Sequence, residues 1–398
     1  MKRHIKLQVP SYGQEEIDAV NSLMSSTNLV MGKKTKEFEQ KWSNWLNIPD
    51  STMVNSGSSA NLLMIQLLIS KRGKYLLDKG DEILVPAVTW STTLFPIIQL
   101  GLKPVLVDVD KNTFNINIDS CKEALSNKTK GIFLVHLLGN PANMDEVISF
   151  CDDNKLILLE DCCESHGAQW DHKKVGTFGV ASSFSFMFAH HMSTIEGGMV
   201  STVDSLNHSV IKASRAHGWI REINQEEKYN ILSENEVFDE NFLFWDIGFN
   251  VRPTEINAVF GLCQLKRLDD FINVRNKNFQ HYKNFTEKIT DKIQIQVLES
   301  DQKSFRSSFA FGFFIKDPAK YSKRKLIKYL SKNGIESRSL VAGNLARHPF
   351  YNLYCDKPRV DLSNSDKIHD GGIYLPNHQG LTFEDIEYVA MHLESFFQ

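Results

Sequence analysis

The sequence lacks the marks of several large classes of protein. Lys and Arg number 45 against 48 for Asp and Glu, so the formal net charge of the 398 residues is −3 and no basic surface for a nucleic-acid backbone is expected. Apolar runs such as 62–65 fall far short of the roughly 20 residues that a membrane helix needs. Residues 1–6 are mostly polar and no apolar stretch follows them, so no signal peptide is predicted. We therefore expect a cytoplasmic protein whose partners include neither nucleic acid nor a membrane.

Cysteine is scarce and scattered. The six cysteines show no CxxC spacing, and only Cys162 and Cys163 are adjacent. Isolated thiols in a reducing compartment are usually buried and inert. Because an iron–sulfur cluster needs several thiolates at ligand spacing, neither a metal site nor an iron–sulfur cluster is predicted.

The chain is too long for one ordinary core, and its pattern changes near residue 280. Before that point, predicted strands alternate with predicted helices, which favours a mostly parallel sheet flanked by helices. After it, the segments become shorter. We predict an α/β fold with a large domain over 1–280 and a small α+β domain over 281–398. The polar, acidic stretch 222–240 is predicted to be a surface loop.

A loop of small residues, 54–61, opens the apolar helix predicted over 62–69. Free backbone N–H groups, the helix dipole and serine hydroxyls at the start of a helix are what a phosphate group requires. Ordinary capping of the helix by serine would give the same pattern.

Two predicted strands end beside residues that could bind a planar ring. Trp90 follows the strand at 83–86, where its indole could stack on such a ring, although a core tryptophan is the alternative. Glu160 and Asp161 end the apolar strand at 155–161, and a carboxylate in this place is rarely buried without a partner.

The most informative stretch is 182–198, where alternating Ser and Phe predict a strand with Phe184, Phe186 and Phe188 on one face. His190 and His191 follow where open α/β sheets usually present functional groups. An imidazole, whose ordinary pKa is about 6.5, can move a proton. A structural pair of histidines would look the same in the sequence.

This stretch resembles the cofactor-lysine segment of the DegT-type sugar-nucleotide aminotransferases, which are pyridoxal phosphate (PLP) enzymes of fold type I. That segment reads roughly Ser-Phe-x-x-x-Lys-x-x-x-Thr-Gly-Glu-Gly-Gly, and counting back from Gly198 places His190 where the lysine stands. Histidine cannot bind the cofactor covalently, and this exchange is typical of the dehydratase branch of the family. A count shifted by one residue would give the role to His191.

The resemblance implies a complete cofactor site in a fold-type I PLP-dependent transferase-like protein. The expected cofactor-binding residues are Gly57, Ser58, Ser59, Trp90, Asp161, Glu164, Ser185 and Asn250. The first three and Ser185 would hold the phosphate, Trp90 would cover the ring, and Asp161 would face the pyridine nitrogen. Glu164 stands where the aminotransferases have a glutamine that faces the ring hydroxyl. Asn250 would reach the cofactor phosphate of a neighbouring subunit, so that a homodimer shares its active sites.

For the activity, the resemblance implies a nucleotide-sugar substrate and glutamate as amino donor. Pyridoxamine phosphate (PMP), regenerated by glutamate, would supply the two electrons that replace the carbon-3 hydroxyl of a 4-keto-6-deoxy sugar by hydrogen, while His190 moves protons. Such products are 3,6-dideoxysugars, for example the colitose of lipopolysaccharide O antigens. GDP as the nucleotide follows from the resemblance alone. The expected substrate-binding residues are His217, Arg221, Glu336 and Arg338.

Three alternatives stay open. A sugar-nucleotide 4-aminotransferase shares the fold but would have lysine at position 190. A 3-dehydratase for a CDP- or dTDP-linked sugar shares the mechanism, although the iron–sulfur type would have a cysteine cluster that this chain lacks. A regulator on the same scaffold would have no need of Asp161, Trp90 and the phosphate loop.

Overall fold

The computed structural model describes residues 3–26, 28–234, 239 and 241–398. Helices make up much of these ranges. Several begin at a polar cap, such as Ser56 and Thr254, whose side chains accept hydrogen bonds from N–H groups of the first turn. Within the described ranges, no helix is long and apolar enough to cross a membrane. The α-helices are α1 (Gln14–Met24), α2 (Lys33–Leu46), α3 (Gly57–Ile69), α4 (Ser91–Gln99), α5 (Ile118–Ala124), α6 (Met144–Asn154), α7 (Ser205–Arg215), α8 (Gln225–Glu234), α9 (Glu255–Leu265), α10 (Leu268–Phe285), α11 (Lys323–Lys332), α12 (Tyr351–Tyr354), α13 (Ser363–Gly371) and α14 (Phe383–Phe397).

The strands form a large central sheet and two smaller ones. They are β1 (Asp50–Val54), β2 (Glu82–Pro86), β3 (Lys103–Val107), β4 (Thr129–Val135), β5 (Ile157–Asp161), β6 (Gln169–Trp170), β7 (Lys173–Lys174), β8 (Ala181–Ser185), β9 (Gly198–Thr202), β10 (Ile293–Ile295), β11 (Ser304–Phe305), β12 (Phe311–Ile315), β13 (Arg338–Ser339) and β14 (Gly372–Leu375).

The central sheet has seven strands in the order β1-β9-β8-β5-β4-β2-β3. Strands β8, β5, β4, β2 and β3 are parallel, and β9 runs antiparallel to both of its neighbours. Successive side chains point to opposite faces. Ile83 and Val85 therefore pack in one core with α3 and α7, and Leu84 packs in another with α5 and α6. This arrangement confirms the prediction of a mostly parallel sheet flanked by helices.

The C-terminal part contains a four-stranded antiparallel sheet in the order β10-β12-β14-β13. Phe311 of this sheet packs in an apolar core with Leu326 of α11 and Leu393 of α14. Ile5, from the start of the chain, belongs to the same core, and α10 runs across residue 280 without a break. The division into domains 1–280 and 281–398 stays a prediction, with a continuous helix at its boundary.

Helix α3 fixes the loop that precedes it. Leu63, Leu67 and Leu68 are fully buried in the core between α3, α4 and the sheet. Burying each of these side chains contributes about 1.5–3 kcal/mol. Because α3 cannot shift without opening this core, the backbone of Gly57 in its first turn is held firmly against the end of the sheet.

Two local predictions were wrong. The stretch 222–240 is not a continuous loop, because Gln225–Glu234 forms α8; residues 235–238 and 240 of that stretch lie outside the described part of the chain. Helix α8 buries little apolar surface, since Ile231 is its buried residue. The sequence therefore shows no helical period in this stretch. Strand β8 ends at Ser185, so Phe188 leaves the sheet and is 37% exposed, whereas Phe184 and Phe186 are fully buried.

Candidate active site

The carboxyl ends of β2, β4, β5 and β8 meet at one edge of the central sheet, where they border a cavity of about 540 Å³. The lining residues come from the ends of these strands and the loops that follow them, from the start of α3, from β13 and β14 of the small sheet, and from the N-terminal segment and the segment before β12. Parallel sheets bind ligands at this edge because loops from several strands converge there. The predicted site residues are therefore expected around this cavity.

Small residues form a cradle at the first turn of α3 and the end of β8. Gly57, Ser58 and Ser185 all line the cavity. A Cβ atom on Gly57 would lie 2.6 Å from Cβ of Ser185 and 3.1 Å from Sγ of Cys163, so no side chain fits at this position. The N–H groups at the positive end of α3 lie beside this open space, as a bound phosphate requires.

Ser59 lies in the same turn, but its hydrogen bonds stay within the start of α3. Its N–H donates to Oγ of Ser56 (3.1 Å), and its hydroxyl donates to Oδ1 of Asn55 (2.6 Å). Both bonds stabilise the start of α3, and Ser59 is not among the residues that line the cavity. Its predicted contact with a phosphate stays a prediction.

Asp161 ends β5 with its carboxylate at the cavity. One oxygen accepts hydrogen bonds from Nδ2 of Asn61 (2.9 Å) and from Oγ1 of Thr93 (2.8 Å), and the other accepts from the N–H of Cys163 (3.1 Å). In the described ranges no cationic side chain pairs with this carboxylate. It is firmly oriented and retains lone pairs for one further donor, such as the N–H of a ring.

Glu160, its neighbour, is fully buried behind the cavity. Its carboxylate contacts Nε2 of His136 (3.1 Å) and accepts three backbone N–H groups of 176–179 at 2.7–2.8 Å. Burial alone would raise the pKa of Glu160, but the imidazole and these N–H groups lower it below its usual value. Cys162 lies near this pair. The other imidazole nitrogen of His136 accepts the N–H of Ala142, so both the carboxylate and the imidazole already have hydrogen-bond partners within the fold.

Glu164 lines the cavity near Asp161. Its Oε2 accepts a hydrogen bond from the N–H of Leu138 (3.0 Å). Burial, which that bond only partly offsets, and the charge of Asp161 raise the pKa of Glu164 to about 7. A carboxyl group with this pKa still carries its proton in much of the population near neutral pH, so it can donate a hydrogen bond.

His190 lies in a loop over 186–197. Hydrogen bonds from the N–H of Phe186 to the carbonyl of Gly197 (2.9 Å) and from Thr194 to the carbonyl of Phe186 (2.8 Å) close the base of this loop. The imidazole lines the cavity, and its Nδ1 has no hydrogen-bond partner among the described residues. Burial, followed by the charge of Arg275, lowers the pKa of His190 to about 4. The ring is therefore neutral at physiological pH and has a nitrogen free for a proton.

His191 is fully buried and does not line the cavity. Its Nε2 contacts the carbonyl oxygen of Ser307 (3.0 Å), and its ring centroid lies 5.2 Å from that of His166. The structure thus separates two histidines that the sequence left ambiguous, and it is His190 that can meet a ligand in the cavity.

The remaining predicted contacts near the cavity differ in position. Trp90 precedes α4, is 59% exposed and lines the cavity. Arg338 of β13 also lines it, together with Tyr374 of the adjacent strand β14. Glu336 does not, because its carboxylate accepts the N–H of Leu7 (2.9 Å) and lies 3.3 Å from the imidazole of His4.

Asn250 and Arg221 line a second cavity, of about 340 Å³, which shares no lining residue with the first. Nε of Arg252 donates to Oδ1 of Asn250 (3.0 Å), and the guanidinium of Arg221 lies 5.3 Å from the ring centroid of Trp219. His217 also contacts the ring of Trp219, at 5.3 Å between centroids. Within one chain, these predicted residues do not reach the cavity that contains His190.

Sequence reasoning missed Asn61 and Tyr374, which line the first cavity, and Thr93, which is fully buried and does not line it. Asn61 and Thr93 orient Asp161, and each is a polar residue within a largely apolar helix, a pattern that calls for a buried partner. Tyr374 gives no such signal, because its place in the cavity depends on how the small sheet packs against the large one.

In the described residues, the cavity thus contains small residues that leave room for a phosphate, a carboxylate without a cation, an aromatic residue and an imidazole whose Nδ1 has no partner. This set fits PLP, whose phosphate would bind at Gly57 and Ser185 and whose ring nitrogen would face Asp161. An α/β fold with such a site at the carboxyl edge of a parallel sheet belongs to the class of enzymes that bind a phosphorylated cofactor.

The family is clear from comparison with known proteins. Residues 10–394 match the model of the DegT/DnrJ/EryC1/StrS aminotransferase family, and the chain belongs to this family.

Similarity to individual members of the family extends over nearly the whole chain. The chain is 39% identical to the GDP-4-keto-6-deoxy-D-mannose 3-dehydratase of Escherichia coli O55:H7 over 94% of this chain and 95% of that protein. A structure of the E. coli GDP-4-keto-6-deoxy-D-mannose 3-dehydratase with bound hydrated PLP aligns with a TM-score of 0.89 and 36% identity over 98% of this chain and 100% of that one. A structure of a GDP-4-keto-6-deoxymannose 3-dehydratase with a trapped PLP–glutamate geminal diamine aligns equally well, at 35% identity and with the same coverage of both chains.

Proposed function

We propose that this protein is a PLP- and PMP-dependent 3-dehydratase that removes the carbon-3 hydroxyl of GDP-4-keto-6-deoxymannose. The observation that carries the proposal is the neutral imidazole of His190, which lines the cavity and whose Nδ1 has no hydrogen-bond partner among the described residues. By motif spacing, this residue corresponds to the cofactor lysine of the aminotransferases. Histidine can carry protons but cannot bind the cofactor covalently. The names of the relatives above and the ligands in their structures support the same choice.

The residues of the first cavity would hold the cofactor without a covalent bond. PMP, when bound, supplies an amine for the sugar ketone and the two electrons that deoxygenation needs. Gly57, Ser58 and Ser185 bind the phosphate, Asp161 keeps the ring nitrogen protonated, and Trp90 covers the ring. Because no lysine anchors the cofactor, the phosphate cradle has to retain it through the whole reaction.

Two ionisable residues have different roles: one transfers protons and the other keeps its proton to donate a hydrogen bond. His190, neutral above about pH 4, accepts a proton and returns it. Glu164, whose pKa is about 7, donates a hydrogen bond to the ring hydroxyl of the cofactor. Environments that push two such groups to different protonation states allow one site to contain both an acid and a base.

Glutamate closes the balance of the reaction. The carbon–oxygen bond at carbon 3 of the sugar breaks, a carbon–hydrogen bond replaces it, and the oxygen leaves as water. Glutamate supplies the two electrons and becomes 2-oxoglutarate, while its nitrogen is released as ammonia. The product is a 3,6-dideoxy-4-keto sugar that remains linked to GDP, and we place the enzyme in the synthesis of O-antigen sugars such as colitose.

We further propose that the enzyme is a homodimer in the cytoplasm. Asn250, Arg221 and His217 lie at or near the second cavity, away from His190 of their own chain. In a dimer with shared sites, they would complete the cavity of the partner. Arg338 and Tyr374 would contact the sugar nucleotide within the chain, whereas the carboxylate of Glu336 is already occupied by the N-terminal segment.

The test is to incubate the purified protein with PLP, glutamate and GDP-4-keto-6-deoxymannose while ammonia and product mass are followed. The proposal expects a product lighter by one oxygen atom, with one ammonia released per turnover. A 4-amino sugar without ammonia release would make the protein an aminotransferase. Turnover with a CDP- or dTDP-linked sugar but not with the GDP sugar would overturn the choice of nucleotide, and failure to develop any PLP absorbance would favour a regulator.

A further inference from the structure

Arg275 of α10 is a buried cation without a carboxylate partner among the described residues. It is 2% exposed. Its Nη1 donates to the carbonyl oxygens of Phe309 (2.9 Å) and Asn377 (2.5 Å), and its Nη2 donates to the carbonyl oxygen of His190 (3.2 Å). Arg275 therefore joins the loop of His190 to two segments that flank the strands of the small sheet.

A charge in this place needs a reason. Burying an ion without a counter-ion is costly, and neutral donors can satisfy carbonyl oxygens at a lower cost. Burial lowers the pKa of Arg275 to about 10, so the guanidinium still carries its charge near neutral pH. Hydrogen bonding to three carbonyls does not explain why the donor is a cation.

The groups that face His190 come from several elements. Arg275 faces it from α10, His166 from the segment after β5, and the apolar ring of Phe309 from the segment before β12, with centroid distances of 6.2 and 5.3 Å for the two rings. His191 is its neighbour in the chain, and a hydrogen bond with the backbone of Cys163, which lines the same cavity, acts in the opposite direction to Arg275 by raising the pKa of His190. Asp161 and Glu164 also line this cavity, but in the described residues neither makes a hydrogen bond or an ion pair with His190.

We propose that Arg275 is the positioning residue of His190: its guanidinium, 3.2 Å from the carbonyl oxygen of His190, fixes the backbone of the loop and, as a cation without a carboxylate partner among the described residues, makes protonation of the imidazole less favourable. This inference rests on the proposed function, in which His190 moves protons. The charge of Arg275 has the same effect on other histidines of this region, because it also contributes to the lowered pKa values of His166, His191 and His378.

The test reads the charge of His190 directly. The thirteen histidines of the cofactor-free protein are labelled with ¹³C and ¹⁵N, and their titration is followed by NMR, with His190→Asn used to assign the signal. In the wild type, the signal of His190 should titrate near pH 4. In Arg275→Gln, which removes the charge but keeps an amide donor, the midpoint should rise by about one pH unit, because a like charge nearby typically shifts a pKa by 1–3.

Arg306→Gln is the matched control. Arg306 is also buried and also lacks a carboxylate partner in the described part, but its guanidinium contacts Gln296 and the ring of Phe279 instead of the His190 loop. This variant should lose stability as Arg275→Gln does, without moving the midpoint of His190. An equal midpoint in the wild type, Arg275→Gln and Arg306→Gln would overturn the electrostatic role.

Arg275→Lys tests the two parts of the proposal separately, and it serves if Arg275→Gln fails to fold. Lysine keeps the charge but loses the planar fork, so kcat should fall while the midpoint of His190 stays low and KM changes little. An unchanged kcat would overturn the positioning of the loop, and a wild-type midpoint near 6.5 would overturn the electrostatic role without any variant. Because the titration uses cofactor-free protein, it gives its answer even if the proposed substrate is wrong.

Discussion

The cavity and the buried polar layer behind it contain the same kinds of residue in opposite states. Glu160 and Asp161 are neighbours in β5, and His190 and His191 are neighbours in one loop. In the buried layer, Glu160 is saturated by an imidazole and three N–H groups, and His191 is bonded to the carbonyl of Ser307. In the cavity, Asp161 has no cationic partner among the described residues, and His190 lines the open space. Nδ1 lacks a hydrogen-bond partner in both histidines, so contact with the cavity is what separates His190 from the fully buried His191. Unused hydrogen-bonding capacity beside open space, more than residue type, therefore distinguishes a functional group from a structural one.

The strongest test of this difference replaces each of the two histidines by asparagine in a separate variant. His190→Asn should lower kcat of the dehydration by about two to four orders of magnitude, because positioned acid–base catalysis contributes that much. His191→Asn should keep most of the turnover and instead lower the melting temperature, since its ring is buried and bonded to Ser307. Ammonia release and thermal unfolding measure the two effects, and equal losses of kcat would contradict the distinction.

The two carboxylates of β5 should separate in the same way. Asp161→Asn should remove most of the activity while the fold persists, because the ring nitrogen of the cofactor loses its anionic partner. Glu160→Gln should instead cost about 3 kcal/mol of the free energy of unfolding, as expected when one member of a buried, hydrogen-bonded charge network is replaced. Urea unfolding and steady-state kinetics distinguish them, and an inactive Glu160→Gln protein of wild-type stability would break the comparison.

The phosphate cradle predicts a smaller effect on binding of the cofactor. Gly57→Ala places a Cβ atom 2.6 Å from that of Ser185, and crowding of this kind costs about 1–3 kcal/mol. If the cost falls on the ligand, the Kd for PLP should rise by roughly ten- to a hundredfold, as equilibrium dialysis would show. Gly13→Ala is the control, because apart from its chain neighbours no atom lies within 4 Å of its added Cβ. Equal PLP affinities in the two variants would contradict binding of the phosphate at Gly57.

The pH dependence of stability should reveal the protonation state of Glu164. The folded-state pKa of Glu164 is raised to about 7 above an ordinary value of 4.5, so the stability linked to its proton is complete below about pH 4.5 and is lost as the pH rises through 7. Glu164→Gln avoids this loss, and it should raise the melting temperature of the cofactor-free protein more at pH 8 than at pH 4.

Glu37→Gln is the control of opposite sign. Hydrogen bonds from Lys34 and Lys41 lower the pKa of Glu37, so its contribution to stability is present above the ordinary pKa and is lost as the pH falls. Because Glu37 is partly exposed, this variant should be only slightly less stable at pH 8 and unchanged in acid. A Glu164→Gln variant that follows the same course would show that Glu164 is ionised in the folded protein.

Local patterns predicted many of the elements because each pattern repeats with the period of its own structure. The strands predicted at 83–86 and 155–161 lie within two residues of β2 and β5, and the helix predicted over 62–69 lies within α3, which begins earlier, at Gly57. Helix α8 was not predicted because it buries little apolar surface. Phe188 was assigned to a strand by its alternation, although the chain turns back after Ser185 to build the loop of His190.

The sequence by itself determined much of the order of strands and helices, the loop of small residues that opens α3, the carboxylates at the end of β5 and the pair of histidines after β8. These are properties of short segments, and short segments express them through periodicity and capping. Only the tertiary structure decided which of two adjacent histidines lines the cavity, which of two adjacent carboxylates is free, and that Arg275 lies against the loop of His190. Those outcomes depend on packing between residues up to about a hundred positions apart, such as Arg275 and His190 or Asn61 and Asp161, because a side chain is free or bonded according to what distant segments place beside it.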